Sequence, residues 1–453
     1  MTVNRSDFQR RFKAVPDADD RFIGHDPGDG TGDPFVTDLA GLAAGLAPSI
    51  ATDAALLSRF ASSKRGIWRP QGWGANLRAA VQTTQPVIGL LGDSVTRGYY
   101  ASNIGPTSAA TSWAGKLRTY LQGLYGDGGS GFHGSRDNST AHSNLSAYTL
   151  PVTLTGTWAD YLGTDGPGSQ GMQCNTTGST MTTTVRGSTV RVYYITVSSG
   201  GTMDIAIDGA AAESVATAGS NGIGIYTKSG LSTGTHEIII TKTAADTGYV
   251  FILGFSGTND TGLIVHNFAR TGGTSAYPAT NATYGGGQWA GGNLLPCDLI
   301  IYGYGVNDAA SNVAIDTYVA NVRRYIAGVV DIANANKPGL GNRPTTPDPK
   351  NGAVDILFHM PHVGKWEGTS EFYPEYLTRL RGLAEGFGAA LLDEWAIYRN
   401  SWNYFNSLSG WGQVNGSPTP GAVGTDSVHP SDTGHNLYYL NIKSVIDEAL
   451  AYT

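Results

Sequence analysis

A β-rich block without helical periodicity interrupts a chain that otherwise alternates strand-like and helix-like segments. Between residues 135 and 257, short apolar runs such as 190–197 and 235–241 are separated by turns rich in Gly, Ser and Asp. Short strands with closely spaced turns are typical of an antiparallel sandwich, and here we expect a jelly-roll-like one. Because the alternation of strands and helices resumes afterwards, the block is predicted to be a domain inserted into another domain.

The segments on either side of this insert fit one α/β domain. The continuous apolar run 86–91 is typical of a parallel strand buried on both faces. Further strands are predicted at 263–266, 298–303, 354–358 and 389–392, and helices at 112–124, 316–334, 374–387 and 431–450. This alternation predicts a parallel sheet with helices on both faces, whose chemistry collects at the carboxyl ends of the strands.

The domain division follows from these patterns. Residues 81–134 and 258–453 form the α/β domain, residues 135–257 the inserted β-sandwich, and residues 1–80 an N-terminal arm. The arm carries no plausible chemistry, and two interpretations stay open. In the first, the arm packs on the main domain. In the second, it attaches the protein to a partner, such as another virion protein, or mediates oligomerisation.

The bulk composition narrows the classes of function. Charged residues make up 14% of the chain, against about 25% in an average protein. A surface built from Gly, Ser, Thr and Asn suits contact with sugars or proteins, and the net charge of −7 gives no support to nucleic-acid binding. The two cysteines, Cys174 and Cys297, form no spaced framework, so neither a disulfide nor a metal site is expected.

The sequence also bears on location. Residues 1–20 contain basic residues with no apolar run after them, unlike a signal peptide, and no stretch reaches the ~18 apolar residues of a membrane span. The composition nevertheless suits an extracellular protein. A virion component released by host lysis would satisfy both observations, and so would a secreted protein whose signal has been removed.

Two motifs carry residues suited to nucleophilic catalysis. Ser94 follows the first predicted strand in Gly92-Asp93-Ser94, and a serine needs a base that removes its proton. His429 is the candidate base, and Asp426 stands at an offset from which its carboxylate can reach the imidazole Nδ1–H. The alternatives are a capped turn at Ser94 and a loop merely shaped by Asp426 and His429.

Two further segments offer hydrogen-bond donors for an oxyanion. Asn307, in Gly305-Val306-Asn307-Asp308, follows a predicted strand, and its side-chain amide can stabilise developing negative charge. Asp308 suits an orienting or capping role. Gly272 lies in the loop after another strand, where its backbone N–H can approach a substrate. The N–H of Ser94 would be the third donor. A polar turn closing the strand is the alternative for Asn307.

Taken together, these segments resemble the four signature blocks of the SGNH, or GDSL, hydrolase superfamily. The blocks are Gly92-Asp93-Ser94, the Gly272 loop, Gly305-x-Asn307-Asp308 and Asp426-x-x-His429, in the family's order. The resemblance covers residues 86–110 and 262–451. The Gly272 block departs most, because the family often has Gly where this chain has Ala269, and most members have a much shorter connection in place of the insert.

The resemblance implies a flavodoxin-like three-layer α/β/α fold and hydrolysis of esters without metal or cofactor. It further implies that Ser94 is the nucleophile, His429 the base and Asp426 its partner. The oxyanion hole would be formed by the N–H groups of Ser94 and Gly272 and the side chain of Asn307.

Other candidates favour structural roles. His359 and His362 have no third ligand suitably spaced for a metal, and His435 on the last helix suits packing or capping. Asp393 and Glu394 are adjacent and so cannot flank a sugar from two sides. Four aromatic residues of the insert either stack on sugars or are buried in the sandwich: Trp158, Tyr161, Tyr193 and Tyr194.

The expected function is therefore a serine esterase that removes acyl groups, such as acetyl, from a cell-surface polysaccharide. The alternative from another class is a structural or adhesive phage-tail or carbohydrate-binding protein with a vestigial site, which a turnover assay would distinguish. The alternative among enzymes is a lipase, which a wide apolar patch or lid would favour.

Overall fold

The computed structural model describes residues 66–70, 72–83, 85–99, 101, 111–136, 152–163, 165–168, 170–243, 246–279, 295–336, 354–361, 373–400, 402–408 and 429–451. Structural statements below concern these residues. The greater part of the predicted N-terminal arm, residues 1–65, lies outside them.

The chain forms strands and helices in a mixed order. The strands are β1 (Ile67–Trp68), β2 (Val87–Gly92), β3 (Gly131–Gly134), β4 (Val152–Thr155), β5 (Ala159–Tyr161), β6 (Gly171–Cys174), β7 (Thr180–Arg186), β8 (Thr189–Thr196), β9 (Thr202–Ile207), β10 (Glu213–Ala216), β11 (Gly222–Lys228), β12 (Thr235–Lys242), β13 (Val250–Thr258), β14 (Ile264–Asn267), β15 (Leu299–Gly303), β16 (Asp355–Met360) and β17 (Ala390–Asp393). The helices are α1 (Ala75–Thr83), α2 (Ser94–Arg97), α3 (Trp113–Tyr125), α4 (Ala276–Ala279), α5 (Val306–Ala310), α6 (Ile315–Asn336), α7 (Tyr373–Phe387), α8 (Glu394–Ile397), α9 (Trp402–Ser407) and α10 (Asp432–Leu450).

A six-stranded sheet organises the α/β part, in the order β1-β17-β16-β15-β2-β14. All neighbouring strands pair in parallel except β1, which pairs antiparallel with β17. The central strands β2 and β15 are almost wholly buried, as their continuous apolar sequences predict. Their carboxyl ends therefore lie at one edge of the sheet.

Separate cores cover the two faces of this sheet. On one face, Ile88 and Ile301 pack with apolar residues of α1, α3 and α10. On the other, Ile300 and Tyr302 pack with α6 and α7. The helices thus lie on both sides of the parallel sheet, and the chain has a mixed α/β architecture with several sheets.

Serine caps fix the starts of two of these helices. Ser112 accepts a hydrogen bond from Gly115 N–H at the start of α3, and Ser431 accepts one from Gly434 N–H at the start of α10. Ser431, the first residue of the predicted last helix, is thus its N-cap. Asp316, the first residue of the helix predicted at 316–334, lies inside the first turn of α6.

The insert forms two antiparallel sheets, as its alternating sequence predicts. One has the order β10-β9-β12-β7-β4 and the other β11-β8-β13-β6-β5. Apolar side chains from both sheets meet between them, among them Met181 and Ile240 from the first and Val192 and Ile252 from the second. The insert is therefore a β-sandwich.

The second sheet of the sandwich also packs on the α/β domain. Tyr193 and Leu253 on its outer face belong to the same core as Phe268 and Tyr304. The sheet extends further through β3, which pairs with β13 although it lies in the segment we assign to the α/β domain. An insert excised from the chain would therefore expose this shared face.

Part of the predicted N-terminal arm belongs to the α/β domain. β1 pairs with β17 through Ile67 and Leu392, and Trp73 and Leu77 are buried in the core around α1. β1 and α1 therefore pack on the α/β domain. The attachment role concerns residues outside the described part.

Cys174 and Cys297 are both buried, and neither forms a disulfide. Within the described ranges, no helix is long and apolar enough to cross a membrane.

Candidate active site

Ser94 lies where β2 gives way to α2. Asp93 accepts a hydrogen bond from Val95 N–H at 2.9 Å and so caps this four-residue helix, with Ser94 as its first residue. Gly92 is required by close packing, because a Cβ there would lie 2.0 Å from Thr96 Oγ1. The cap and the turn together place a largely buried hydroxyl at the carboxyl end of a central strand.

The imidazole of His429 meets this hydroxyl. His429 Nε2 lies 2.7 Å from Ser94 Oγ, although the two residues are 335 positions apart in the chain. His429 directly precedes Pro430 and Ser431, the N-cap of α10. This position beside the helix start holds it at the carboxyl edge of the sheet. Asp426 lies outside the described residues.

Two residues that the motifs did not single out as catalytic support His429. The ring of Tyr99 lies against the imidazole with 4.6 Å between centroids. His435 Nε2 lies 3.1 Å from Tyr99 O, and its Nδ1 accepts from Trp113 N–H at 3.4 Å. Burial lowers the pKa of His435 to about 4, so its imidazole is neutral and donates from Nε2. His435 thus packs beneath the site, in keeping with the structural role predicted for it.

Asn307 is connected to the Ser94 turn by a hydrogen bond to Asp93, the residue before the serine. Its Nδ2 donates to Asp93 Oδ2 at 3.2 Å and to the carbonyl of Gly273 at 3.0 Å. Asp93 is fully buried, and this burial raises the pKa of its carboxyl to about 7. The amide is therefore held in a fixed position, and an oxyanion would share its hydrogen bonds with these acceptors.

Asp308 ties the Asn307 segment to the Gly272 loop. Its carboxylate accepts from Ser275 N–H at 2.9 Å and from Ser275 Oγ at 2.6 Å. Burial raises the pKa of Asp308, and the hydrogen bonds from Ser275 oppose that shift. The orienting role predicted for Asp308 matches these contacts.

Gly272 adopts a left-handed backbone conformation with φ of +70°, while a Cβ there would meet nothing within 4 Å. The conformation rather than the space accounts for glycine. Among the residues the structure describes, neither Gly272 N–H nor Ser94 N–H donates to another protein atom.

The weaker candidates are placed away from this chemistry. His359 Nε2 lies 3.3 Å from Glu394 Oε1, and Asn441 donates to the other Glu394 oxygen at 2.7 Å. Burial raises the pKa of Glu394 well above its usual value and lowers that of His359 to about 3. Asp393 caps α8. His362 lies outside the described residues, and within those residues no three potential ligands cluster as a metal site would require.

The aromatic residues of the insert divide between core and surface. Tyr193 is buried and its hydroxyl lies 3.1 Å from Ser256 Oγ, while Tyr194 and Trp158 pack against the sandwich core. Tyr161 instead lies at the margin of the contact with the α/β domain. Stacking on sugars is excluded for buried Tyr193 and stays open for Tyr161.

The insert matches a described family. The model of the carbohydrate esterase 2 N-terminal domain matches residues 165–266, which run from just before β6 to near the end of β14. A comparison with curated proteins finds no match. The family match supports a resemblance to carbohydrate esterases.

Solved structures with distant similarity include two family two carbohydrate esterases. One, from Clostridium thermocellum in complex with cellohexaose, is 14% identical, covers 67% of this chain and 100% of its own, and has a TM-score of 0.28. The other, from Cellvibrio japonicus, is 12% identical with 71% and 98% coverage and a TM-score of 0.25. A salicylyl-acyltransferase from a tetracycline biosynthetic pathway is 12% identical, with 61% and 84% coverage and a TM-score of 0.26.

Proposed function

We propose that this protein is a serine esterase that removes acyl groups, in particular O-acetyl groups, from polysaccharide. The observation that carries the proposal is the 2.7 Å hydrogen bond between His429 Nε2 and Ser94 Oγ at the carboxyl end of a central parallel strand. A neutral imidazole at this distance can take the serine proton as Ser94 attacks an ester carbonyl.

The reaction would proceed through an acyl-enzyme. Ser94 Oγ bonds to the carbonyl carbon while its proton passes to His429 Nε2 and the carbonyl oxygen becomes an oxyanion. Collapse of this intermediate breaks the bond to the sugar oxygen, which takes the proton from His429 and leaves as the sugar hydroxyl. Water, deprotonated by His429, then attacks the acyl-serine and releases the carboxylic acid, which restores both residues. Asp426 would hold the Nδ1–H of His429 and stabilise the imidazolium.

The oxyanion would be held by Ser94 N–H, Gly272 N–H and Asn307 Nδ2. Both backbone donors are free of other described partners, and the Asn307 amide is fixed by Asp93 and Gly273. Fixed donors stabilise developing charge without reorganising during the reaction.

The flavodoxin-like SGNH arrangement belongs to the same proposal. In chain order the parallel strands β2, β14, β15, β16 and β17 lie in the sheet as 2-1-3-4-5, the order of flavodoxin-like folds. Polysaccharide as the substrate is supported by the family match of the insert and by the polar, weakly charged surface composition. The same composition supports action outside the cell or on a virion.

Hydrolysis of an aryl acetate by single-site variants tests the proposal. Ser94→Ala and His429→Ala should each lower kcat by about three orders of magnitude or more, and Asp426→Asn by roughly two to four, because triad members act as a unit. Ser214→Ala, which removes an exposed hydroxyl on β10, is the matched control and should keep full activity. Near-normal turnover by folded Ser94→Ala would reject the assignment.

A further inference from the structure

Four side chains form a partly exposed row on the outer sheet of the sandwich, hereafter the aromatic row: Tyr249, Phe251, Tyr161 and Leu162. Tyr249 is 43% exposed and Leu162 58%. The rings of Tyr249 and Phe251 stack at 5.9 Å with 30° between their planes, and those of Phe251 and Tyr161 meet edge to face at 5.3 Å. The three rings therefore form one connected apolar surface, and the exposed Leu162 directly follows Tyr161 in the chain.

The aromatic row continues a face that is elsewhere covered. Two positions along β13 from Phe251, Leu253 is fully buried under the core shared with the α/β domain. On the intervening strand β6, Gly171 lies opposite Tyr161 and Gln173 lies opposite Phe251. The face thus runs out from beneath the α/β domain into the open.

Arg270 joins this row to the candidate active site. Its guanidinium donates to the carbonyls of Gly163 at 2.9 Å and Leu162 at 3.4 Å. Its backbone N–H donates to Gly92 O at 2.8 Å, directly before Asp93 and Ser94. Arg270 therefore connects the Leu162 end of the row to the end of β2, which directly precedes Asp93 and Ser94.

We propose that the aromatic row binds the sugar chain of the substrate, so that the sandwich holds a polysaccharide while Ser94 acts on an acyl group attached to it. This inference rests on the proposed esterase function and adds the surface that selects a polymer. The apolar faces of sugar rings stack on aromatic side chains, and Tyr and Trp combine an apolar ring with a polar tip.

The chemistry of the row favours a neutral sugar chain over other occupants. None of its four side chains is charged, and Asp160, which precedes Tyr161, is already paired with Arg136 at 2.7 Å. A stable protein partner would need about 800 Å² of surface on each side, far more than four side chains supply. A narrow apolar strip leading to the nucleophile instead suits one extended chain.

Replacement of Tyr249 tests the inference, because it is the most exposed ring and its loss costs the core least. We expect Tyr249→Ala to lower kcat/KM on acetylated xylan or acetylated glucomannan about three- to tenfold through KM, with kcat/KM on an aryl acetate unchanged. Tyr249→Phe keeps the ring and should behave as wild type. Leu124→Ala, which removes an exposed apolar side chain from α3, is the control for surface changes.

Binding provides a readout that does not depend on turnover. In affinity electrophoresis through gels containing the same two polysaccharides, acetylated or deacetylated, wild type and Tyr249→Phe should be retarded and Tyr249→Ala should not. An active wild type that no polysaccharide retards, equal losses on polymer and aryl ester, or row-dependent binding to phosphatidylcholine vesicles instead would overturn the inference. Row-dependent retardation of a protein that hydrolyses no ester would uphold it and reject only the proposed esterase.

Discussion

At the scale of a single residue, Asp93 has two hydrogen-bonding roles in a buried position. Its Oδ1 caps the helix that begins at Ser94, its Oδ2 accepts from Asn307, and it is fully buried. Burial raises the pKa of the carboxyl from 3.8 to about 7. An acid that binds its proton more tightly in the folded state makes folding less favourable as the pH rises between those two values.

Asp93→Asn should therefore change how stability depends on pH. The wild type keeps the full contribution of the protonated carboxyl below pH 3.8 and loses it as the pH rises through about 7. The variant has no such loss, so from pH 4 to pH 8 the free energy of unfolding should shift in its favour by up to about 4 kcal/mol. Urea unfolding of both proteins at several pH values measures the shift. A difference that stays constant with pH would contradict the burial argument.

The sequence indicated the residues of the candidate site better than the residues that pack against them. Ser94, Asn307 and His429 stand in motifs with recognisable chemistry, and the structure brings the serine and histidine within 2.7 Å. Tyr99 has no motif, because its contact with His429 depends on how α2 and the start of α10 pack. Packing between segments more than 300 residues apart leaves no local pattern to read.

At the scale of elements, His266 links the two parts of the molecule. It lies on β14 of the central sheet, and its Nδ1 accepts from Phe132 N–H of β3 at 2.9 Å. Burial lowers the pKa of this imidazole from 6.5 to about 3, so the folded protein keeps it neutral. Since only a neutral imidazole can accept at Nδ1, protonation removes the bond.

Comparison of wild type with His266→Gln, whose amide oxygen can still accept, tests this link. The unfolded wild type takes up a proton below pH 6.5, and the folded protein does not until about pH 3. The stability of the wild type therefore decreases as the pH is lowered from 6.5 to 3. Between pH 7.5 and 4.5 the wild type should lose about 2–3 kcal/mol more than the variant. The other buried histidines are common to both proteins and cancel. Parallel losses would refute the prediction.

Long elements could be predicted and short ones could not. The apolar run of β2 and the periodic sequences of α3, α7 and α10 gave bounds close to those observed. β1 has two residues and β3 lies in a glycine-rich stretch. These short strands form because β17 and β13 supply hydrogen-bond partners. This is a tertiary effect, which the strand propensity of the local sequence does not predict.

At the scale of the whole molecule, three apolar cores hold two architectures together. Two cores flank the parallel sheet and one fills the sandwich. The core that includes Tyr193, Leu253 and Phe268 spans both architectures, so the insert has a defined position beside the strand ends. A sandwich fixed there can present a polymer to Ser94, which a freely tethered module could not do as well.

The central claim, that Ser94 is an activated nucleophile, is tested most directly by covalent labelling. A fluorophosphonate reacts with a serine whose proton is removed by a neighbouring base. Mass spectrometry of the labelled protein should show a single adduct, located by peptide mapping on Ser94 and lost in His429→Ala. An intact, folded protein that gains no adduct, or one that gains it on another residue, would contradict the account.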